Sequence, residues 1–338
     1  MLKSGRFWIG IAISVVCLFF AFQGIQFDKL FDALTTMNYG WLLVTIGLWC
    51  VSYAGRVFRW QTLFSPLQVR LGNVFTALNV GYFLSNILPA RLGDIVRAYL
   101  IGDMESVSKV RALSTVVVER IFDGLTVVLF FALSALFVPN IPDDARGAAI
   151  GVAATGVVGI AFLFLLSHQK ERGLALLHRL TAPFPFLQQA GLWRALESLI
   201  DGFGVLRSPR PIIGAVLWSI YAWTTGGLMF WAAMFAMDLR DGAGVPLPAS
   251  AAFLVMTVTS LVVVIPSSPG YLGIFHYAAV LTLTTVFNVD KSNALSYAVV
   301  IHAVSYIWLM IVGVFSIWRE GLSYQSLQAM QAQAVKSE

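Results

Sequence analysis

Asn86-Ile-Leu-Pro-Ala-Arg91-Leu-Gly93-Asp94-Ile-Val-Arg97 and, shortly after it, Val118-Glu119-Arg120-Ile-Phe-Asp123-Gly124 decide how this chain folds. The first stretch interrupts an apolar segment. The second lies between Leu113-Ser-Thr-Val-Val-Val118 and Gly124-Leu-Thr-Val-Val-Leu-Phe-Phe131. An ionisable group in hydrocarbon costs at least about 2.5–3.5 kcal/mol on insertion scales. A membrane-spanning chain keeps such a cluster only where its members pair, line a watery cavity or hold a charged ligand. The pattern reads as a functional site inside a membrane protein.

Composition agrees. Of 338 residues, 58% are hydrophobic and 12% charged, with a mean hydropathy of +0.80. A soluble domain is usually about 45–50% apolar and about 25% charged. The fold class is therefore an all-α polytopic membrane protein. Trp8, Trp41, Trp60, Trp193 and Trp318 fall near segment ends, as interfacial anchors do. The net charge of +5 does not form a basic stripe with interleaved aromatics, so nucleic acid is not an expected partner. It marks cytoplasmic loops beside anionic headgroups instead. Cys17 and Cys50 lie in apolar segments and make no CxxC, metal or disulfide pattern. No metal or cofactor is expected. The opening Met-Leu-Lys-Ser-Gly-Arg and its apolar run resemble a signal peptide, but no small-x-small site follows Phe20, so an uncleaved first span is expected.

A helix needs about 20 apolar residues to cross a bilayer. Candidate spans are 7–25, 40–56, 112–137, 147–167, 211–236, 250–265, 271–288 and 296–318, about eight transmembrane helices, of which 250–265 and 271–288 are short. Residues 1–320 form one integral membrane domain, and 321–338 a polar cytoplasmic tail. The connections 56–70 and 168–210 are rich in Arg and Lys, whereas 139–146 and 237–247 are short and slightly acidic. The positive-inside rule then makes both termini cytoplasmic. Leucines at helical spacing make 168–210 a cytoplasmic amphipathic segment, split by Pro183 and Pro185.

Residues 73–100 enter from the basic side and must return to it, which predicts a re-entrant hairpin with Asn86, Pro89 and Gly93 at its tip. Asp94 and Arg97 share a helix face, as do Glu119 and Asp123. Arg120 is expected to neutralise a neighbour such as Asp94 across helices. The bland alternatives are an interfacial helix pair and a purely structural ion-pair network. Pro266-Ser-Ser-Pro-Gly270-Tyr-Leu-Gly273-Ile-Phe-His276 is a second break, entering from the opposite side. Its helix N-terminus and the hydroxyls of Ser267 and Ser268 suit an anion. The alternative is a kinked hairpin needed for packing. His276 could titrate, bind a phosphate or simply pack, and His302 is weaker still. Arg56 and Arg59 read as snorkelling anchors, with recruitment of headgroups as the alternative. Two opposed breaks in the two halves suggest an inverted repeat, although no residue-level similarity between the halves is evident.

The three motifs just quoted resemble the lysylphosphatidylglycerol synthase transmembrane region, a family of flippase-like membrane proteins, over about residues 86–275. The resemblance implies a lipid-handling protein of the bacterial or archaeal inner membrane. In bifunctional members this region moves an aminoacylated phospholipid between leaflets. Stand-alone relatives are linked to hopanoid and polyprenyl-linked lipids. Many relatives carry glutamate where this chain has His276. The aminoacyl-transferase domain of bifunctional members is not expected here.

The expected function is translocation of a phospholipid, hopanoid or polyprenyl-linked lipid between leaflets. Arg91, Arg97 and Arg120, with Asn86, Ser267, Ser268 and His276, would bind the headgroup. Asp94, Glu119 and Asp123 would balance charge or exchange protons. No GxxxxGK[ST] loop is present, and a non-enzymatic protein is expected. The alternatives are a membrane-embedded headgroup transferase or hydrolase and a non-transporting partner of lipid-biosynthetic enzymes.

Overall fold

The structure, a computed structural model, describes residues 15–21, 34–87, 92–138, 209–265 and 267–321 with a few isolated positions besides. Arg91, Pro89, Pro266, much of the candidate span 7–25, nearly all of the candidate span 147–167 and of the 168–210 connection, and the tail from 322 lie outside the described residues. The described architecture is all-α. Its helices are α1 (Tyr39–Thr62), α2 (Leu71–Ile87), α3 (Leu92–Glu105), α4 (Lys109–Phe137), α5 (Pro209–Ala236), α6 (Ala249–Val262), α7 (Ile274–Phe287) and α8 (Lys291–Arg319), with a 3-10 turn at Pro269–Tyr271 between α6 and α7.

Among the described residues, four stretches are long and apolar enough to cross a membrane: Tyr39–Thr62, Arg210–Ala236, Pro269–Phe287 and Lys291–Arg319. The third contains a break, because Gly270 and Gly273 take φ of 71° and 91°. Its unbroken helix is α7, 14 residues long, or about 21 Å at 1.5 Å per residue. That falls short of the roughly 30 Å hydrocarbon core. α4, with 29 residues, is also long enough to cross. Exposed Leu43, Phe137, Leu217, Val264, Ile311 and Trp318 give the bundle an apolar exterior suited to lipid.

α2 and α3 pack as a closed hairpin. At its base Glu105 accepts the Arg70 backbone N–H at 3.0 Å and the Asn73 amide at 2.6 Å. Near its tip a Cβ on Gly93 would sit 1.9 Å from the Gly81 carbonyl oxygen, so only glycine permits this approach. Both helices are too short to cross, which is the geometry of the expected re-entrant element. α6 and α7 form the second hairpin. Its base is joined where Gly242 N–H meets the Phe287 carbonyl at 3.2 Å.

The two halves are related. α1 and α5 run antiparallel: Asn38 N–H donates to Ala236 O at 2.7 Å, Ser52 Oγ to Ala222 O at 2.7 Å, and Phe58 stacks on Trp218. α4 packs on α6, and correspondingly α8 packs on α2. Adding 182 to a residue number carries Leu92–Glu105 onto Ile274–Phe287 and Lys109–Phe137 onto Lys291–Arg319, with equal lengths throughout. Ser106 and Asn288, related by the same shift, take φ of 54° and 53°, an uncommon region for residues other than glycine. The sequence carries a trace of this after all: Lys109-x-x-Ala-Leu-Ser114-x-x-Val-Val118 matches Lys291-x-x-Ala-Leu-Ser296-x-x-Val-Val300. Because α1 and α5 are antiparallel, the repeats are inverted. One apolar core surrounds Trp60, Phe64, Leu78 and Ile101 at the first hairpin's base. The other surrounds Met234, Leu239, Leu283 and Leu295 at the second's, toward the opposite ends of α1 and α5.

Candidate functional site

Between the two cores lies a network of seven charges drawn from three helices. Arg59 of α1 is fully buried. It reaches Glu119 at 3.0 Å and Asp123 at 2.7 Å, and also Ser219 Oγ at 3.2 Å. Glu119 and Asp123 are one helical turn apart, so one guanidinium spans both. Arg97 of α3, also fully buried, binds the other Glu119 oxygen at 2.9 Å and Asp94 at 3.1 Å. Its guanidinium lies over the rings of Trp60 and Tyr82. Arg120 links Asp94 at 2.9 Å to Asp123 at 3.2 Å. Arg56 sits 3.8 Å from Asp123 and over the Trp223 ring. Trp223 Nε1 and Tyr82 OH complete the acceptor sites of Asp123 and Glu119 at 3.1 and 3.3 Å.

Four arginines therefore face three carboxylates among the described residues, leaving one positive charge in excess. Burying ions is costly, and the cost is offset only where pairing and hydrogen bonding are close to complete. Glu119 meets that condition, and its two nearest arginine partners, Arg59 and Arg97, expose none of their side chains. Arg56 and Arg120 differ. Their side chains are 16% and 32% exposed, and both line a cavity of about 600 Å³. Asp94, Asp123 and Trp49 mark its polar end, while Val127, Met229, Phe230, Met256, Leu261 and Val264 make the rest apolar. An adjoining space of about 270 Å³ shares Arg56, Asp94 and Arg120 and adds Tyr82, Ser85 and Asn86 from the first hairpin. Tyr271, His302 and Tyr306 close it from the second repeat. The two hairpin tips thus meet at one polar space that opens into an apolar one.

The expected site residues distribute as follows. Asp94, Arg97, Glu119, Arg120 and Asp123 come together in one network, and the cross-helix Arg120–Asp94 pair is present. Of these, Arg97 and Glu119 stand behind the cavity wall. Asn86 faces the polar space, with its amide donating to the Tyr82 carbonyl at 2.9 Å. Arg91 lies outside the described residues. Ser267 and Ser268 sit at the second tip, away from the lining of both spaces, and Ser268 Oγ donates to the Leu272 carbonyl at 3.1 Å. His276 is buried. It receives the Gly273 N–H on Nδ1 at 3.4 Å, so the α7 N-terminus offered to an anion is partly capped from within. Sequence reasoning missed Arg59 as a centre of the network and Arg56 as a cavity residue. Arg56-Val-Phe-Arg59 ends a span, where a snorkelling arginine is ordinary. α1 instead continues to Thr62, so that Arg56 lies before its last turn and Arg59 within it, and both side chains turn inward toward Asp123. Among the described residues no three His, Cys, Asp or Glu side chains gather as a metal site would need.

The family model for the lysylphosphatidylglycerol synthase TM region matches residues 7–313. The chain belongs to this family. It is accordingly a multi-pass integral membrane protein. Among curated relatives, Glycosyltransferase AglD of Haloferax volcanii is 26% identical over 302 residues, covering 80% of this chain and 47% of that protein. A UPF0104 membrane protein of Methanocaldococcus jannaschii is 24% identical over 234 residues, covering 68% of this chain and 91% of that protein. A second UPF0104 membrane protein from the same organism is 29% identical over 136 residues, covering 39% of this chain and 40% of that protein. The chain thus spans about half of the glycosyltransferase relative. That relative's name overturns the expectation of a non-enzymatic protein: 80% of this chain aligns with a protein named as an enzyme.

Proposed function

We propose that this protein binds the anionic headgroup of a membrane lipid between the two hairpin tips and moves it between leaflets. The observation that carries this reading is the charge imbalance. Four arginines meet three carboxylates, and the two least buried arginines, Arg56 and Arg120, line the cavity. Buried donors at the same place lack partners among the described residues: Trp49 Nε1, Ser85 Oγ, Arg56 Nε and Arg120 Nε. An oxyanion would satisfy them with charge-assisted hydrogen bonds. The apolar part of the cavity suits the lipid chain next to that headgroup. Inverted repeats around such a site support exchange of access between the two faces. The loop charges favour cytoplasmic termini, and the reading takes the inner membrane as the setting.

The test is reconstitution into liposomes with fluorescent lipids of differing headgroup, following leaflet exchange. Headgroup-dependent exchange in the wild type, lost in a folded Arg120→Ala variant, is the expected result. No exchange across phospholipid, hopanoid and polyprenyl phosphate would end the translocation reading. A second reading is favoured by the glycosyltransferase-named relative: the same cavity would present a lipid headgroup to a transferase. Product formed from a sugar donor and a polyprenyl phosphate by the purified protein would select it.

A further inference from the structure

The shift of 182 that relates the repeats carries Asp94 onto His276 and Arg120 onto His302. Both pairs are in contact. Arg120 meets Asp94 at 2.9 Å, and His302 Nδ1 meets His276 Nε2 at 3.3 Å. The charged pair of the first hairpin is thus matched in the second by two imidazoles, 6% and 7% exposed. His302 lines the polar space together with Asp94 and Arg120.

We propose that the His276–His302 pair is a proton-binding site that fills as the anionic headgroup enters, so that headgroup and proton bind together. This rests on the headgroup reading above. The hydrogen-bond network sets the neutral state. His276 Nδ1 accepts the Gly273 N–H, so its Nε2 carries the proton and donates to His302 Nδ1. His302 is also hydrogen-bonded to the Gly270 backbone. The charged and titratable groups around the space are Arg56 on α1, Tyr82 on α2, Asp94 on α3, Arg120 on α4, Tyr271 in the 3-10 turn and Tyr306 on α8. With the network's one excess positive charge at Arg56 and Arg120, an added charge on the histidines is repelled while the cavity is empty. An anion there cancels that repulsion and draws the proton in. Linkage makes the effect reciprocal: a proton on the pair strengthens headgroup binding by the same factor.

The proton also changes the backbone. A proton placed on His276 Nδ1 removes the lone pair that receives Gly273 N–H. Gly273 and Gly270 are the two positive-φ glycines of the second tip, so losing this contact frees the segment that must move if the second hairpin is to open. Proton uptake would therefore bias the tip as well as the charge.

The probe is phosphatidylglycerol binding to the purified full-length protein in detergent, measured between about pH 5 and 8, where histidine titrates. A phosphodiester keeps one charge through this window, unlike a phosphomonoester with its second pKa of about 6. Wild-type affinity should rise as pH falls, by up to about tenfold per pH unit for one linked proton. In weak buffer, binding should take up protons from solution. His302→Gln and His276→Gln should bind with a flat pH profile and no uptake. PH-independent wild-type binding without uptake, or an unchanged slope in a folded histidine variant, overturns the proposal while leaving the headgroup site standing. Phosphatidylcholine, phosphatidylglycerol and polyprenyl phosphate all failing to bind the wild type at any pH would overturn the headgroup reading and this inference with it. The wild-type measurements decide even if the variants do not fold.

Discussion

The two hairpins share a frame and differ in what they carry. The first is closed tightly by Gly81 and Gly93 and bears Asp94 and Arg97. The second has Phe275 where the first has Gly93, a longer tip and the two histidines. Phe275 lines both cavity spaces. In the repeated long helices, Glu119, Arg120 and Asp123 correspond to Ile301, His302 and Ser305. The backbone thus repeats while the chemistry does not. One half holds its charges on a tightly closed hairpin. The other presents neutral, titratable and aromatic groups on one with a longer tip. An inverted pair of equal shape and unequal chemistry can hold a ligand from one side and release it from the other.

The largest expected effect comes from the buried charges. Arg59→Ala removes the fully buried guanidinium that lies within 3.0 Å of both Glu119 and Asp123, and losing one side of a buried ion pair costs about 3–5 kcal/mol. The variant should lose its cooperative thermal transition in detergent or shift it far downward. Ile301→Val, at the position matching Glu119, deletes one methyl group and should cost only about 0.5–1.5 kcal/mol. Comparable losses at the two sites would show that the charged half is no more critical to stability than its apolar counterpart.

Gly93→Ala comes next. The added Cβ would meet backbone 1.9 Å away, which a side-chain rotation cannot relieve. Overpacking of this kind costs about 1–3 kcal/mol or more. Trypsin or hydrogen exchange at the first tip should report its opening, with the second hairpin's protection unchanged. Opening of both tips would indicate that the hairpins hold one another shut.

Much of this was legible in the sequence. Gly93 and Asp94 beside Pro89, and Glu119 to Asp123 amid Val and Phe, announced a break and buried charges because such residues are costly in lipid. The pairing of Asp94 with Arg120 followed from the need to neutralise both. Arg59 was not legible, because an arginine near a span's end has the same pattern whether it snorkels or turns inward. Only packing against α4 and α5 decides. The repeat was hidden for a related reason. Positions facing a site diverge with its chemistry, while the few matching residues, Ala112-Leu113-Ser114 and Ala294-Leu295-Ser296, are small or apolar and common in any membrane helix.

Arg120→Ala removes a partly exposed guanidinium at the cavity. Asp94 keeps Arg97, and Asp123 keeps Arg59, so the fold should survive. A hydrogen bond to a charged group contributes about 1.5–3 kcal/mol, which corresponds to roughly ten- to hundredfold weaker binding of an anionic lipid. Arg120→His gives the first repeat the residue of the second. It should recover part of that affinity at low pH only. Full recovery at high pH would show that the cavity needs a ring donor and not a charge.

The smallest effect tests the frame itself. Ser114 Oγ donates to the Val110 carbonyl at 2.9 Å, and Ser296 Oγ to the Ser292 carbonyl at 2.8 Å. Both are buried, at 0% exposure, and lie one turn into their helices. Ser114→Ala and Ser296→Ala each delete one such bond within the helix, a contribution of about 0.5–1.5 kcal/mol. If the repeats are equivalent scaffolds, the two variants should lower thermal stability by the same small amount, and neither should alter lipid binding. Unequal shifts would place the asymmetry of the molecule in its packing as well as in its site. Equal shifts would confine it to the positions that line the cavity.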